Sequence, residues 1–66
     1  MFRIIVTRTL KGADKLYYTG KGWEVEEKNA KQTDEKTGNM MVEKITNSDI
    51  LMPKVAYINE IKLEKV

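Results

Sequence analysis

The stretch of sequence that decides the fold lies at residues 15–27 and reads KLYYTGKGWEVEE. Both ends of this stretch are rich in aromatic, aliphatic and alternating charged residues, which is typical of β-strands. Gly20 and Lys21 lie between them. A pair that begins with glycine favours a two-residue type II′ turn, because glycine tolerates the positive φ that this turn requires. The stretch therefore predicts a tight β-hairpin.

The turn at residues 20–21 also predicts the register of the hairpin. It pairs residues of matching character on each face: Tyr18 with Trp23 and Leu16 with Val25 on one face, and Lys15 with Glu26 and Tyr17 with Glu24 on the other. A turn one residue later would oppose two lysines and set a leucine against a glutamate, which are poorer cross-strand pairs. We therefore expect Tyr18, Trp23, Leu16 and Val25 in the core, and Tyr17 outward beside Lys15.

A further strand is predicted before the hairpin, where Phe2, Ile4 and Val6 alternate with polar residues. Ile5 breaks the alternation. This strand is therefore either buried on both faces or offers Ile5 as an apolar contact to a partner. Residues 11–14, KGAD, form a turn signal between this strand and the hairpin.

Residues 28–39, KNAKQTDEKTGN, contain Ala30 as their only hydrophobic residue. A segment with so little to bury predicts a mobile loop or the tip of a long hairpin. Strand character resumes over residues 40–46. The apolar phase changes there between Val42 and Ile45, which indicates a bulge or a bend. Asn47, Ser48 and Asp49 then predict a turn, in which Ser48 has a structural rather than a nucleophilic role.

The last segment is ambiguous between helix and strand. Pro53 tolerates the first position of a helix, so we predict a helical turn over residues 54–57. Ile61 and Leu63 then alternate with charged residues, which predicts a closing strand over residues 58–65. The fold class is mostly β, a small five- or six-stranded SH3-like or OB-like barrel with one helical turn before the last strand. The alternative is an α+β fold with a C-terminal helix.

Length and composition limit the chain to one small domain, residues 1–66, without histidine or cysteine. A disulfide and a thiolate zinc site are therefore excluded, and the domain is stabilised by packing or by a partner. Self-association into a homo-oligomer is one hypothesis, since so small a core supplies little stability. No apolar run approaches the roughly 20 residues of a membrane span, so we expect a cytoplasmic protein with no membrane partner.

The missing residue types argue against an enzyme. No histidine is present to activate Ser48 or a threonine, and Glu24, Glu26 and Glu27 follow one another as the charges of a solvated strand usually do. The acidic residues near Asp34 lack the alternation of a calcium loop. We therefore predict no catalytic residues, no metal site and no cofactor.

Two function classes remain. The first is a non-enzymatic binding module or regulator, which engages and in one version inhibits a protein partner through an exposed β edge or loop. Its candidate contacts are Ile5, Tyr17, Lys31, Asp34, Glu35 and Lys36. The second is a nucleic-acid-binding barrel, since the first 23 residues carry five basic side chains and one acidic one. Its candidates are Arg3, Lys11, Lys15, Lys21 and Tyr17, the last as a stacking platform. We favour protein binding, because glutamates beside a phosphate track would weaken it.

Overall fold

A computed structural model describes residues 1–9, 14–54 and 58–66, and residue 59 by its backbone only. Within these residues the fold is mostly β, as predicted, with five strands and one short α-helix. The strands are β1 (Phe2–Arg8), β2 (Asp14–Tyr18), β3 (Trp23–Glu24), β4 (Gln32–Thr33) and β5 (Ile58–Lys65). A 3₁₀ turn spans Glu27–Asn29, and the helix α1 spans Glu35–Thr46.

The strands form one curled antiparallel sheet, a half-barrel, with β1 at its centre. Along one edge of β1, β2 pairs with residues 5–8 and β4 with residues 2–3. Along the other edge, β5 pairs with β1 from Phe2 to Arg8. The central strand is thus paired along both edges. Such a position suits a strand that is apolar on both faces, because its backbone N–H and C=O groups bond to the neighbouring strands and need no hydrogen bonds from water.

The predicted hairpin forms with the predicted register, which pairs Tyr18 with Trp23 and Tyr17 with Glu24. The N–H of Thr19 donates to the carbonyl of Gly22 at 2.9 Å across the two-residue turn. Gly20, the first of these two residues, has a φ of +94°. This is the backbone conformation for which a glycine was expected there.

The hairpin is shorter than predicted. β3 ends at Glu24, so the expected pairs of Leu16 with Val25 and of Lys15 with Glu26 do not extend it. The prediction that Val25 belongs to the core is wrong, since 65% of its surface is exposed. After Glu24 the chain leaves the edge of β2 and enters the 3₁₀ turn, which brings it to the β4 pairing with β1. The N–H of Lys31, after the 3₁₀ turn, donates to the carbonyl of Tyr18 at 2.9 Å.

The helix α1 occupies residues for which we predicted a loop over 28–39 and a strand over 40–46, and both predictions are wrong. Asp34 caps its first turn by accepting a hydrogen bond from the N–H of Thr37. Glu35 and Lys44 lie in the first and last turns, where their charges suit the helix dipole. Met41, Val42 and Ile45 share one helical face, so the apparent change of strand phase is helical spacing.

The core lies between α1 and one face of the sheet. Its buried centre consists of Ile4 from β1, Tyr18 from β2 and Ile45 from α1. Several half-buried apolar side chains surround this centre: Trp23, Met41, Val42, Leu51, Met52, Ile61 and Leu63. Tyr18 and Leu16 are buried as predicted, and Trp23, also predicted for the core, is half-buried at its margin against Tyr18.

The C-terminal strand is confirmed, because β5 covers residues 58–65. The alternative fold with a C-terminal helix is therefore wrong. The predicted helical turn over 54–57 and the predicted turn at 11–14 fall mostly on residues 55–57 and 11–13, outside the described residues.

Candidate docking groove

The candidate site is a groove between the β2–β3 hairpin and residues 50–54, with a volume of about 370 Å³. We call it the docking groove. Trp23, Ile50 and Pro53 contribute its apolar walls, and two exposed lysines, Lys21 and Lys54, also line it. Among the described residues no acidic side chain lines it. The groove is therefore apolar inside and positively charged at its margins.

Trp23 is held in the wall of the docking groove by one hydrogen bond and one aromatic contact. Its indole N–H donates to the carbonyl of Leu51 at 3.0 Å. Its ring lies 5.3 Å from that of Tyr18 between centroids, tilted by 54°, which is a favourable arrangement for two aromatic rings. The hairpin and residues 50–54 are thereby joined, so the groove is built into the fold.

A turn after α1 forms the opposite wall of the docking groove. The carbonyl of Ser48 accepts a hydrogen bond from the N–H of Met52 at 3.1 Å, and its hydroxyl accepts one from the N–H of Leu51 at 3.3 Å. These bonds form a turn over residues 48–52, which overlaps the turn predicted at residues 47–49. The turn leaves Ile50 87% exposed. A single exposed aliphatic residue is ordinary, but one that adjoins an aromatic groove extends a continuous apolar patch.

A larger depression, of about 590 Å³, lies near the 3₁₀ turn and carries both signs of charge. Arg3, which lines it, is bound to Glu27 and Glu64. A depression whose charges are already paired has less to offer a ligand than the docking groove.

The sheet face opposite α1 carries two of the residues predicted to contact a partner, and both are buried. Ile5 has no exposed surface and Tyr17 has 8%. The prediction of exposed contacts at Ile5 and Tyr17 is therefore wrong, and Ile5 belongs to a strand buried on both faces. No second helix covers this face among the described residues. Instead, Arg3 lies over the Tyr17 ring, with its guanidinium carbon 4.9 Å from the ring centroid.

Ion pairs hold Arg3 in this position. Its Nε donates to Glu64 Oε1 at 2.7 Å, and its guanidinium also binds Glu27. Lys15 Nζ donates to the second oxygen of Glu64 at 2.7 Å. The Arg3 side chain is 13% exposed as a result. Charged side chains with long aliphatic stems thus cover the apolar residues of this face.

The same contacts shift the pKa values of the groups involved. The hydrogen bond from Lys15 lowers the pKa of Glu64 below its usual 4.5, and the bonds from Arg3 act in the same direction. The hydrogen bond to Glu64 raises the pKa of Lys15 above 10.5. Elsewhere, the hydrogen bond from Arg8 lowers the pKa of Asp14. Each shift favours the charged form of the group in the folded protein.

This arrangement bears on the nucleic-acid candidates. Arg3 and Lys15 are bound to carboxylates, and Tyr17 is buried, so none of them presents a free group to a phosphate or a base. Lys11 lies outside the described residues. Lys21 is exposed, but it lies in the hairpin turn, where it lines the docking groove. The structure therefore brings Arg3, Lys15 and Tyr17 together around Glu64, with their polar groups or surfaces already in contact with the protein, and places Lys21 apart from them.

The remaining candidates lie around the start of α1 and are all exposed. Asp34 is the N-cap, and its hydrogen bond with Thr37 lowers its pKa. Glu35 lies in the first helical turn. Lys31 lines a small cleft of about 90 Å³ between α1 and the sheet, and Lys36 follows on the helix. Asp34 and Glu35 thus have structural roles at the start of α1. None of the four candidates in this region lines the docking groove.

The docking groove was not among the predicted sites. The signal for it was the apolar run Ile50-Leu51-Met52 before Pro53, since such a run outside a strand or helix buries only part of its surface. Its proximity to Trp23 depends on contacts between distant parts of the chain. A pattern of neighbouring residues could not reveal it.

Comparison with known proteins assigns the chain to no family: no family model matches it, and no curated protein or solved structure matches it significantly. Over the part of the chain that the structure describes, no helix has the length and apolar character needed to cross a membrane. In the same residues, no three acidic side chains converge as they would around a metal ion.

Acidification is expected to destabilise the fold through Glu64. Its pKa is depressed in the folded state, so its contribution is complete above the unfolded pKa and is lost as the pH falls below about 4.5. Urea denaturation at about pH 7 and about pH 3 measures the loss. Glu64→Gln should be less stable than the wild type near pH 7 and lose less stability on acidification.

Glu60→Gln is the matched control for this measurement. Glu60 lies on the same strand and makes one long contact, 3.8 Å, with Lys62. Its replacement should leave the acid sensitivity almost unchanged, because exposed pairs of this kind contribute little. Equal acid sensitivity of the wild type and Glu64→Gln would show that the ion pairs over Tyr17 do not stabilise the fold.

Proposed function

We propose that this chain is a non-enzymatic protein-binding module that holds an apolar side chain of its partner in the docking groove. The observation that supports this most is Ile50, a large aliphatic residue almost fully exposed beside the half-buried Trp23. Protein interfaces draw most of their free energy from a few aromatic and aliphatic contacts that lose water on binding. Ile50 and Trp23 supply both kinds of contact at one place.

The charges at the groove indicate the chemistry of the partner. Lys21 and Lys54 line it, and no acidic residue does so among those described. A segment with a leucine or phenylalanine between carboxylates would therefore bury its apolar side chain and place its negative charges near the lysines. A segment flanked by lysines would be repelled. Binding of this kind occupies a surface and could inhibit the partner by covering its own site.

Trp23 offers a direct test, because it is the only tryptophan of the chain. A short peptide with one phenylalanine between glutamates should change the emission of Trp23 on titration. The same peptide with lysines in place of the glutamates should bind at least about tenfold more weakly. No change of emission with either peptide would count against the docking groove as a binding site.

Ile50→Ser should abolish or strongly reduce peptide binding without unfolding the protein, since Ile50 is 87% exposed. Removal of a central apolar contact costs more than about 1 kcal/mol, or roughly a factor of five or more in affinity. Val25→Ser is the matched control, because Val25 is also aliphatic and exposed but does not line the groove. Equal affinity of the two variants would contradict the proposal.

Nucleic-acid binding remains the alternative proposal, with fewer contacts to support it now that Arg3 and Lys15 are known to bind Glu64. Titration of single-stranded DNA and RNA at several salt concentrations distinguishes it. Binding through phosphates would weaken steeply with salt and would fall further in a Lys15→Glu, Lys21→Glu variant. Micromolar binding with that behaviour near physiological salt would favour the alternative.

A further inference from the structure

We propose that two copies of this chain pair through the outer edges of their β5 strands, antiparallel about a twofold axis at Leu63. The paired sheets would form one continuous sheet across the dimer. This surface is distinct from the docking groove. Three observations carry the proposal: the direction of the backbone groups of β5, the charge pattern along it and the position of α1.

The first observation concerns the backbone. The N–H of Val66 donates to the carbonyl of Met1 at 2.9 Å, so Val66 directs its backbone groups at β1. The pairing of β1 with β5 is regular from Phe2↔Lys65 to Thr7↔Glu60. Because such groups alternate between the two edges of an antiparallel strand, Ile61, Leu63 and Lys65 direct their N–H and C=O groups outward. Within the described residues, β5 pairs only with β1.

With a twofold axis at Leu63, the outward N–H and C=O groups of Ile61, Leu63 and Lys65 would all form hydrogen bonds to the other copy. Leu63 of one copy would then lie opposite Leu63 of the other, and Ile61 opposite Lys65 in both directions. These are the hydrogen-bonded pairs of an antiparallel ladder, with two bonds each. An axis at Ile61 would instead engage residue 59, where the pairing of β1 with β5 shifts register.

The second observation is the charge pattern of β5. With the axis at Leu63, Lys62 of each copy lies opposite Glu64 of the other, so opposite charges face each other in two pairs, although each Glu64 carboxylate also binds Arg3 and Lys15 of its own copy. With the axis at Lys62, two lysines face each other and Glu60 faces Glu64. A lysine within an edge strand usually opposes such pairing, but at Leu63 it is matched by a glutamate. Charge and backbone direction thus select the same register.

The third observation is that α1 packs on the face of the sheet and not against the outer edge of β5. A Cβ atom on Gly38 would lie 2.5 Å from Cδ1 of Leu63 on β5 and 3.1 Å from Cγ2 of Thr33 on β4. The side chains of Leu63 and Thr33 lie on the face of the sheet that carries the core, so α1 approaches β5 from that face. Among the described residues, the outer backbone groups of β5 have no bond to α1.

Sedimentation of the wild type from about 10 μM to about 1 mM tests the proposal. Paired edges alone bury less than the roughly 1,200–2,000 Å² of a standard interface, so we expect a weak dimer that forms as concentration rises. Lys62→Glu and Glu64→Lys should each raise the dissociation constant of the dimer about tenfold, because each sets like charges opposite. An equimolar mixture should dimerise again, since it restores opposite charges.

Glu60→Lys is the matched control, because in this register Glu60 faces Val66 and the change should leave dimerisation unaltered. Glu64→Lys also removes the bonds to Arg3 and Lys15, so circular dichroism and urea denaturation are used to establish that each variant is folded under the conditions of the measurement. Amide hydrogen exchange of the wild type gives a second readout that needs no variant. Residues 61, 63 and 65 should become protected only at high concentration, and residues 62 and 64 should be protected throughout.

A protein that stays monomeric at about 1 mM would overturn the proposal. So would a dimer in which the amides of residues 61, 63 and 65 still exchange freely, or a mixture of charge variants that does not reassociate. Ile50→Ser, which tests the docking groove, should leave the dimer intact. Failure of one proposal is therefore distinguishable from failure of the other.

Discussion

Replacement of Ile45 by alanine is expected to lower the free energy of unfolding by about 2–5 kcal/mol. Ile45 lies on α1, has no exposed surface and packs with Ile4 and Tyr18 at the centre of the core. Truncation removes buried carbon atoms and leaves a cavity that the sheet and helix cannot fully close. A domain this small has a total stability near the lower end of about 5–15 kcal/mol, so the variant should be largely unfolded at elevated temperature.

The same substitution at Ile50 is the matched control. Ile50 is 87% exposed, so Ile50→Ala should change the free energy of unfolding by less than about 0.5 kcal/mol. Urea denaturation followed by Trp23 fluorescence measures both variants. Equal stability of Ile45→Ala and Ile50→Ala would mean that α1 does not pack on the sheet as described.

The parts of the fold that the sequence predicts are those specified by neighbouring residues. Gly20 and Lys21 determine the turn, and the turn determines which residues of β2 and β3 oppose each other. The alternation of Ile61 and Leu63 with charged residues determines β5 in the same way. In each case the signal and the structure lie within a few residues of each other.

The helix was missed because its first half is polar and its second half was interpreted with a period of two. Asp34 as a cap and the spacing of Met41, Val42 and Ile45 were both present in the sequence. A period of 3.6 accounts for these apolar residues without a bulge. The error therefore lay in the choice of period, and the apparent phase change was the signal that could have corrected it.

The docking groove and the burial of Ile5 and Tyr17 both depend on contacts between residues that are distant in the sequence, which explains why neither was predicted. Ile5 and Tyr17 lie on the face that was expected to be outward, as the register required. Arg3 covers the Tyr17 ring, and both Arg3 and Lys15 reach across the sheet to Glu64. Single charges on alternating positions of a strand usually indicate a solvated face. Only the pairing of β1 with both β2 and β5 brings these charges together.

Replacement of Gly38 is the second substitution for which we expect a large effect. It should lower the free energy of unfolding, whereas replacement of a helical glycine usually raises it. Replacement of a glycine by alanine within a helix usually stabilises it by about 1 kcal/mol. At Gly38, however, a Cβ atom would lie 2.5 Å from Cδ1 and 3.2 Å from Cδ2 of Leu63. Both methyl groups of Leu63 are in the way, so rotation of that side chain must disturb its packing. Overpacking of this kind costs about 1–3 kcal/mol, occasionally more.

The cost of overpacking less the gain in helix propensity makes Gly38→Ala less stable than the wild type by up to about 2 kcal/mol, and we expect a loss of about 3 kcal/mol for Gly38→Val, as measured by urea denaturation. Gly22→Ala is the control, since a Cβ atom there meets nothing within 4 Å; it should be neutral or slightly stabilising. Leu63→Ala should recover part of the loss in Gly38→Ala, because the two side chains compete for the same space. A Gly38→Ala variant more stable than the wild type would show that helix propensity outweighs this contact. The helix would then be free to rise from the sheet at its first turns.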